Sequence, residues 1–229
     1  VSRTLLPIGL ACVLACLHGG AHAEATLGVV SDYRYRGVSL TDGAPALQAG
    51  LAWDRDDGWY AGLFAANTRI GSERGLQTVS YLGHAWRLDS GRSWEAGAQY
   101  IALVGHRGGE YRELYLGLAS DRWNARLYHQ PRLFGDAGPT AYAELNAHLP
   151  LGSRWMLLGH LGATWRADDP GKYVDRIYYD GRFGVGVAAG AFNLHLQRVL
   201  TKRSGGYLAG GLYPETGDAG WVFGATWTW

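Results

Sequence analysis

Cysteine is almost missing from this chain: there are two, Cys12 and Cys16, both near its start. Everything beyond residue 16 is therefore without disulfides, thiolate metal ligands or cysteine nucleophiles. Long apolar runs are scarce too. After Leu17 nothing approaches the ~18 uninterrupted apolar residues that a membrane-crossing helix needs. Neither sign of charge dominates, with Lys+Arg 21, Asp+Glu 20 and a formal net charge of +1. No basic patch with interleaved aromatics is present, so nucleic acid is not an expected partner.

What the chain does have is glycine and aromatic residues, with Gly 35, Tyr 14 and Trp 10. A mean hydropathy of −0.14 would ordinarily read as soluble. A membrane barrel gives the same value, because it hides a polar lumen and shows lipid only every second residue.

The first segment reads as a signal peptide. Arg3 supplies a short positive region, Leu5 to Leu17 an apolar run, and Ala21-His22-Ala23 a small-x-small cleavage site. Cleavage after Ala23 divides the chain into a leader, 1–23, and a folded domain, 24–229. A rival lipidation site at Val13-Leu14-Ala15-Cys16 is poorer, because Leu14 suits it badly.

Beyond the leader, apolar and polar residues alternate with a period of two, and no amphipathic helix stands out. In Arg154 to Arg166 one face carries Trp155, Leu157, Gly159, Leu161, Ala163 and Trp165; the other carries Met156, Leu158, His160, Gly162 and Thr164. Two tryptophans about ten residues apart are spaced to meet the two interfaces of a membrane. The pattern predicts an all-β, antiparallel, up-and-down transmembrane barrel of about twelve strands. They fall near 26–36, 45–54, 58–67, 76–88, 93–103, 111–120, 122–130, 140–149, 154–166, 176–188, 191–200 and 219–229.

The connections sort by length. Short ones at 55–57, 89–92, 121, 150–153 and 190 alternate with longer ones at 37–44, 68–75, 104–110, 131–139, 167–175 and 201–218. Short turns on one rim and long loops on the other is outer-membrane barrel topology, with both termini periplasmic. A secreted soluble β-sandwich also alternates but has no reason to sort its loops. The last strand, with Trp221, Phe223, Trp227 and Trp229 on one face, resembles the C-terminal signal read by the barrel-assembly machinery. With Trp155 and Trp165 these residues form the expected aromatic girdle, facing outer-membrane lipid and lipopolysaccharide.

The segment Ser31-Asp32-Tyr33-Arg34-Tyr35-Arg36-Gly37-Val38-Ser39-Leu40-Thr41 resembles the opening motif of the TorF-type porin family, also known as Gcw_chp. That pattern runs Ser-Asp-Tyr, two residues, Arg-Gly, one residue, Ser, one residue, Thr. Shorter likenesses follow at Gly58-Trp59-Tyr60-Ala61-Gly62, Tyr111 to Gly117, Tyr142 to Asn146 and Gly159 to Gly162; Tyr173-Val174-Asp175 matches only loosely. The resemblance implies an outer-membrane barrel with a pore role, and implies no catalytic residues.

If the polar faces point inward, the lumen is lined by Asp32, Arg34, Arg36, Gln48, Glu95, Gln99, Glu113, Arg126, Glu144, Asn146, His148, His160, Asp180, Arg182, His195 and Gln197. Both signs of charge are present, so neither anion nor cation selectivity follows, and small polar solutes are the expected cargo. A plugged lumen fits the same residues, since twelve strands fall between a filled barrel and an aqueous channel. A three-residue turn at 151–153 would set Glu144 opposite His160, as a proton-sensitive gate or, more commonly, a lumenal hydrogen bond.

Asp32, Arg34 and Arg36 are expected on the first strand, as a solute-contacting rim or as a charge network beside a glycine turn. The G-x-G-x-x-A run at 184–189 lacks the helix that nucleotide binding needs. His129 lies on an apolar face, but no Gly-x-Ser-x-Gly accompanies it. No enzyme activity, metal or cofactor is expected.

Overall fold

A computed structural model describes residues 21–106, 109–131, 139–167, 176–202 and 219–229. Its strands are β1 (Ala21–Val30), β2 (Arg34–Tyr35), β3 (Val38–Ser39), β4 (Ala46–Arg55), β5 (Trp59–Ile70), β6 (Glu73–Arg87) and β7 (Ser93–Val104). They continue as β8 (Glu110–Ser120), β9 (Trp123–Gln130), β10 (Thr140–Leu151), β11 (Trp155–Arg166), β12 (Ile177–Ala189), β13 (Phe192–Lys202) and β14 (Gly220–Thr228). Twelve of them, β1 and β4 to β14, pair antiparallel in sequence order and close into a barrel. β14 meets β1 over Thr26–Val30, with Leu27 opposite Trp227. Closure pairs every wall strand on both sides, which is how a sheet can stand in hydrocarbon without an edge.

Alternation sets the two faces. Along β8, Tyr111, Glu113 and Tyr115 are buried while Leu114 and Leu116 are 62% and 61% exposed. The barrel is thus inside out relative to a soluble protein, with tyrosine and charge within and leucine without. Trp155, Trp165, Trp221, Phe223, Trp227 and Trp229 are all exposed on the outer wall. Trp155 and Trp165 stand ten residues apart on a tilted strand, a separation matching an apolar band about 25 Å tall.

The first wall strand differs from the expected span of 26–36. β1 begins at Ala21, where Ala21 to Ala23 pair with Arg55 to Trp53, and leaves the wall after Val30. Residues 31–45 turn into the barrel, and Asp32, Arg34 and Arg36 sit on that inserted segment. The reason lies in local chemistry. The Asp32 carboxylate accepts from the Ser39 hydroxyl (2.5 Å) and the Thr41 hydroxyl (3.2 Å), closing the segment on itself. Arg36 and Gly37 adopt φ of 49° and 79°, the two positive values of a two-residue hairpin turn joining β2 to β3. Val38 and Leu40 are buried with Val30, Ala46, Ile70, Leu103, Val199 and Val222. That apolar cluster anchors the segment.

A second expectation fails at 68–75, read as a long loop. β5 and β6 run on to Ile70 and Glu73 and join through a two-residue turn. Thr68 and Ile70 stay on the inward face, both buried. The inserted segment reinforces them, since Arg69 N–H donates to the Leu40 carbonyl (2.8 Å) and Gly71 N–H to Asp42 Oδ2 (2.7 Å). Elsewhere the short turns at 56–58, 88–92, 121–122, 152–154 and 190–191 share one rim with both ends of the described chain. Most of the connections at 131–139, 167–175 and 201–218, with the Tyr173-Val174-Asp175 motif, lie outside the described residues, as does the segment 1–20 with Cys12 and Cys16.

Glycines on the inner face make room for rings. Register sets Tyr60 opposite Gly83, Tyr81 opposite Gly62 and Tyr115 opposite Gly97. A Cβ at Gly97 would run into the Tyr115 ring and stand 2.6 Å from the Leu82 carbonyl oxygen. The ring lies along the wall over its paired glycine, the arrangement that compensates a strand glycine. Gly97→Val should lower stability by about 1–3 kcal/mol through overpacking, read as a lower urea midpoint of the refolded barrel; an unchanged midpoint would refute the packing argument.

Candidate functional site

The lumen at mid-height is a belt of tyrosines and ion pairs carried by β5 to β12. The Arg126 guanidinium holds Glu95 through Nε (2.6 Å) and Nη2 (3.0 Å), and the Tyr60 hydroxyl donates to the same carboxylate (2.6 Å). Arg126 also lies over the Tyr115 ring, 5.2 Å from its centroid. The Tyr115 ring is thus backed by Gly97 on the wall and faced by the Arg126 guanidinium.

Next to it the inserted segment enters the belt. Arg36 gives Nη1 to Glu113 Oε1 (2.7 Å) and Nη2 to Glu113 Oε2 (2.6 Å), a bidentate pair. Gln99 Nε2 donates to Glu113 Oε2 as well (2.5 Å). The guanidinium stands 4.2 Å from the Tyr142 ring centroid, 5.0 Å from Tyr35 and 5.1 Å from Tyr128. Around this point the segment is tied on every side. Tyr33 donates to Gln77 on β6, Arg34 Nε to Asp32 Oδ2 (2.5 Å), and the Thr201 hydroxyl on β13 to the Gly37 carbonyl (3.0 Å). A Cβ at Gly37 would stand 2.6 Å from the Asp180 Cβ, so only glycine lets the tip come this close.

Across β10 to β12 runs a buried chain of hydrogen bonds. His160 Nδ1 meets Asn146 Oδ1 (2.7 Å), His160 Nε2 meets Asp180 Oδ1 (2.8 Å) and the Tyr142 hydroxyl (3.2 Å). Asn146 Nδ2 donates to Asn124 Oδ1 (3.2 Å). The register differs from the expected one by two residues. Leu151 pairs with Trp155 around a turn at 152–154, which brings Asn146 opposite His160 and Gly162 opposite Glu144. Glu144 shares the inward face but accepts instead from the Tyr128 hydroxyl (3.0 Å). Pro150, which has no N–H to lose, is accommodated near the end of β10 opposite Met156.

Gln48, Gln197 and His148 are half-buried on inward positions of β4, β13 and β10. His195 is buried against Gly224, with no hydrogen bond at Nδ1. Arg182, inward on β12 beside His160, makes no hydrogen bond or ion pair among the described residues. No group of three or more metal-ligating side chains comes together among them.

Tyr115, Tyr128 and Tyr142 share the polar faces of their strands but were not named among the lumen-lining residues, yet they organise the belt. A signal for them exists in the repeated Tyr-x-Gly of 60–62, 81–83 and 115–117.

A profile of the family described as "Bacterial protein of unknown function (Gcw_chp)" matches residues 17–226. No curated protein sequence matches the chain. Among solved structures, the barrel is similar to that of the NanC porin, at TM-score 0.59 and 12% identity, over 90% of this chain and 97% of that one. It is also similar to the KdgM porin, at TM-score 0.53 and 8% identity, over 90% of this chain and 98% of that one. At such identities the likeness is one of fold.

Proposed function

The chain belongs to the Gcw_chp family, and from that membership and the porin-type barrel we propose an outer-membrane channel for small hydrophilic solutes. The observation that carries this reading is the lumenal belt. Glu95–Arg126 on the wall and Glu113–Arg36 between wall and inserted segment set paired charges in the lumen, and His160 with Asp180 adds a polar pair, the polar interior that channel barrels have. Paired groups of both signs orient a polar solute without holding it. The same reading assigns the protein no catalysis. The leader 1–23 directs export to the periplasm, and β14 with Trp229 just beyond it engages the assembly machinery. Both termini then stay periplasmic, and the outer aromatics face lipid and lipopolysaccharide.

One observation favours a second reading, a plugged barrel acting at the cell surface: residues 31–45 occupy the lumen and Arg36 reaches across it. Planar-bilayer recording separates the two. The channel reading expects discrete conductance steps from the purified refolded barrel, and silence with every small ion tested would sink it in favour of the plug. Heat-modifiable gel migration checks beforehand that the barrel has formed.

A further inference from the structure

The ion pair at the tip of the inserted segment is asymmetric. On one side is a single side chain, Arg36, held on a hairpin turn. On the other are groups from four neighbouring wall strands: Gln99 on β7, Glu113 on β8, Tyr128 on β9 and Tyr142 on β10. Glu113 is 2% exposed and oriented by Gln99 without help from the segment. Its two oxygens meet the two terminal nitrogens of a planar cation, while Tyr142 and Tyr128 supply ring faces to that cation. A carboxylate fork with aromatic faces is how proteins recognise guanidinium in particular, since ammonium cannot fill both oxygens in one plane.

Arg36 also occupies a costly backbone position. At φ 49° it is one of two described non-glycine residues with positive φ, at the first central position of a turn that favours asparagine, aspartate or glycine. Strain held at a position whose side chain enters a formed site points to a role for that side chain.

We propose that the lumenal wall is a binding site for guanidinium-bearing solutes, and that Arg36 is its tethered occupant. The hairpin delivers to Glu113, Tyr128 and Tyr142 the group that a free solute would otherwise present. A tethered ligand competes at an effective concentration of about millimolar, so the intact barrel yields its site only to concentrated or multivalent guanidinium solutes. Displacing Arg36 removes its bridge to the far wall, while Val38 and Leu40 keep the rest of the segment anchored. That gating consequence rests on the channel reading; the binding site does not.

The test removes the tether. Full-length barrels carrying Arg36→Ala, and Arg36→Ala with Glu113→Gln, are refolded in detergent and titrated with methylguanidinium, with potassium at equal ionic strength as comparator. Arg36→Ala should bind methylguanidinium saturably and about tenfold or more better than the double variant, the loss expected for a charged bidentate contact. Equal binding by the two variants overturns the proposal. If Arg36→Ala alone does not fold, its heat-modifiable band should return when refolding includes methylguanidinium, and absence of recovery beyond that in potassium overturns it equally. Binding is read without current, so a silent bilayer removes the channel reading and leaves this one standing.

Discussion

Glu113→Ala should lower the stability of the barrel by about 3–5 kcal/mol, the cost of leaving a buried charge without its partner. Arg36 and Glu113 have side chains 12% and 1% exposed, so neither charge regains water when the other is lost. The remaining guanidinium would still touch the Tyr142 and Tyr128 rings, but ring faces replace only part of a carboxylate. Arg36→Met combined with Glu113→Met should restore most of the loss, because removing both charges also removes the penalty for burying them. Urea titration of Glu113→Ala beside a double-mutant cycle of the wild type, Arg36→Met, Glu113→Met and their combination measures this. A loss under 1 kcal/mol for Glu113→Ala would mean that the pair is hydrated and that the segment is held by its apolar half alone.

Leu161→Arg should cost about 2–4 kcal/mol in a bilayer. Leu161 is 65% exposed near the middle of β11, where the outer wall would face the hydrocarbon midplane. The same change at Leu149, near the short-turn rim on β10, should cost only about 0–1 kcal/mol. In a soluble sandwich both residues would be ordinary surface positions, and each substitution would stay within about 0.5 kcal/mol. Unfolding from lipid vesicles reads the depth dependence. Equal small costs at the two positions would remove the membrane from the account altogether.

Most of the wall was legible in the sequence because one signal, period-two alternation, serves both strand and orientation. Trp155 to Trp165 illustrates this, since every residue fell on its expected face. The inserted segment was not legible for the same reason. Charged Asp32, Arg34 and Arg36 alternate with Tyr33 and Tyr35, so a period-two pattern is present where the backbone has already left the wall. What redirects the chain there is the Asp32 cap and a positive-φ turn, neither of which has a period.

The hairpin at Gly71 was hidden in another way. Thr68 to Arg74 is rich in polar groups, which read as loop until the inserted segment is present to bind them. Register failed at the 152–154 turn by two residues, enough to exchange Glu144 for Asn146 beside His160. Parity is preserved by such an error, so the faces came out correctly while the partners did not. The belt itself depends on pairing across strands. Tyr60, Tyr81 and Tyr115 acquire their meaning only when Gly83, Gly62 and Gly97 stand opposite.

Those flat tyrosines bear on the shape of any passage. A ring laid along the wall narrows a bore by its thickness, whereas a ring standing upright narrows it by its length. The inserted segment crowds the opposite side, over β13, β14, β1 and β4 to β6. Its tip reaches the facing wall as well, through Arg36 to Glu113 on β8 and Gly37 beside Asp180 on β12. In the channel proposed above, a solute passes where the segment and the facing wall touch, and that contact, more than the girth of the wall, sets what the barrel admits.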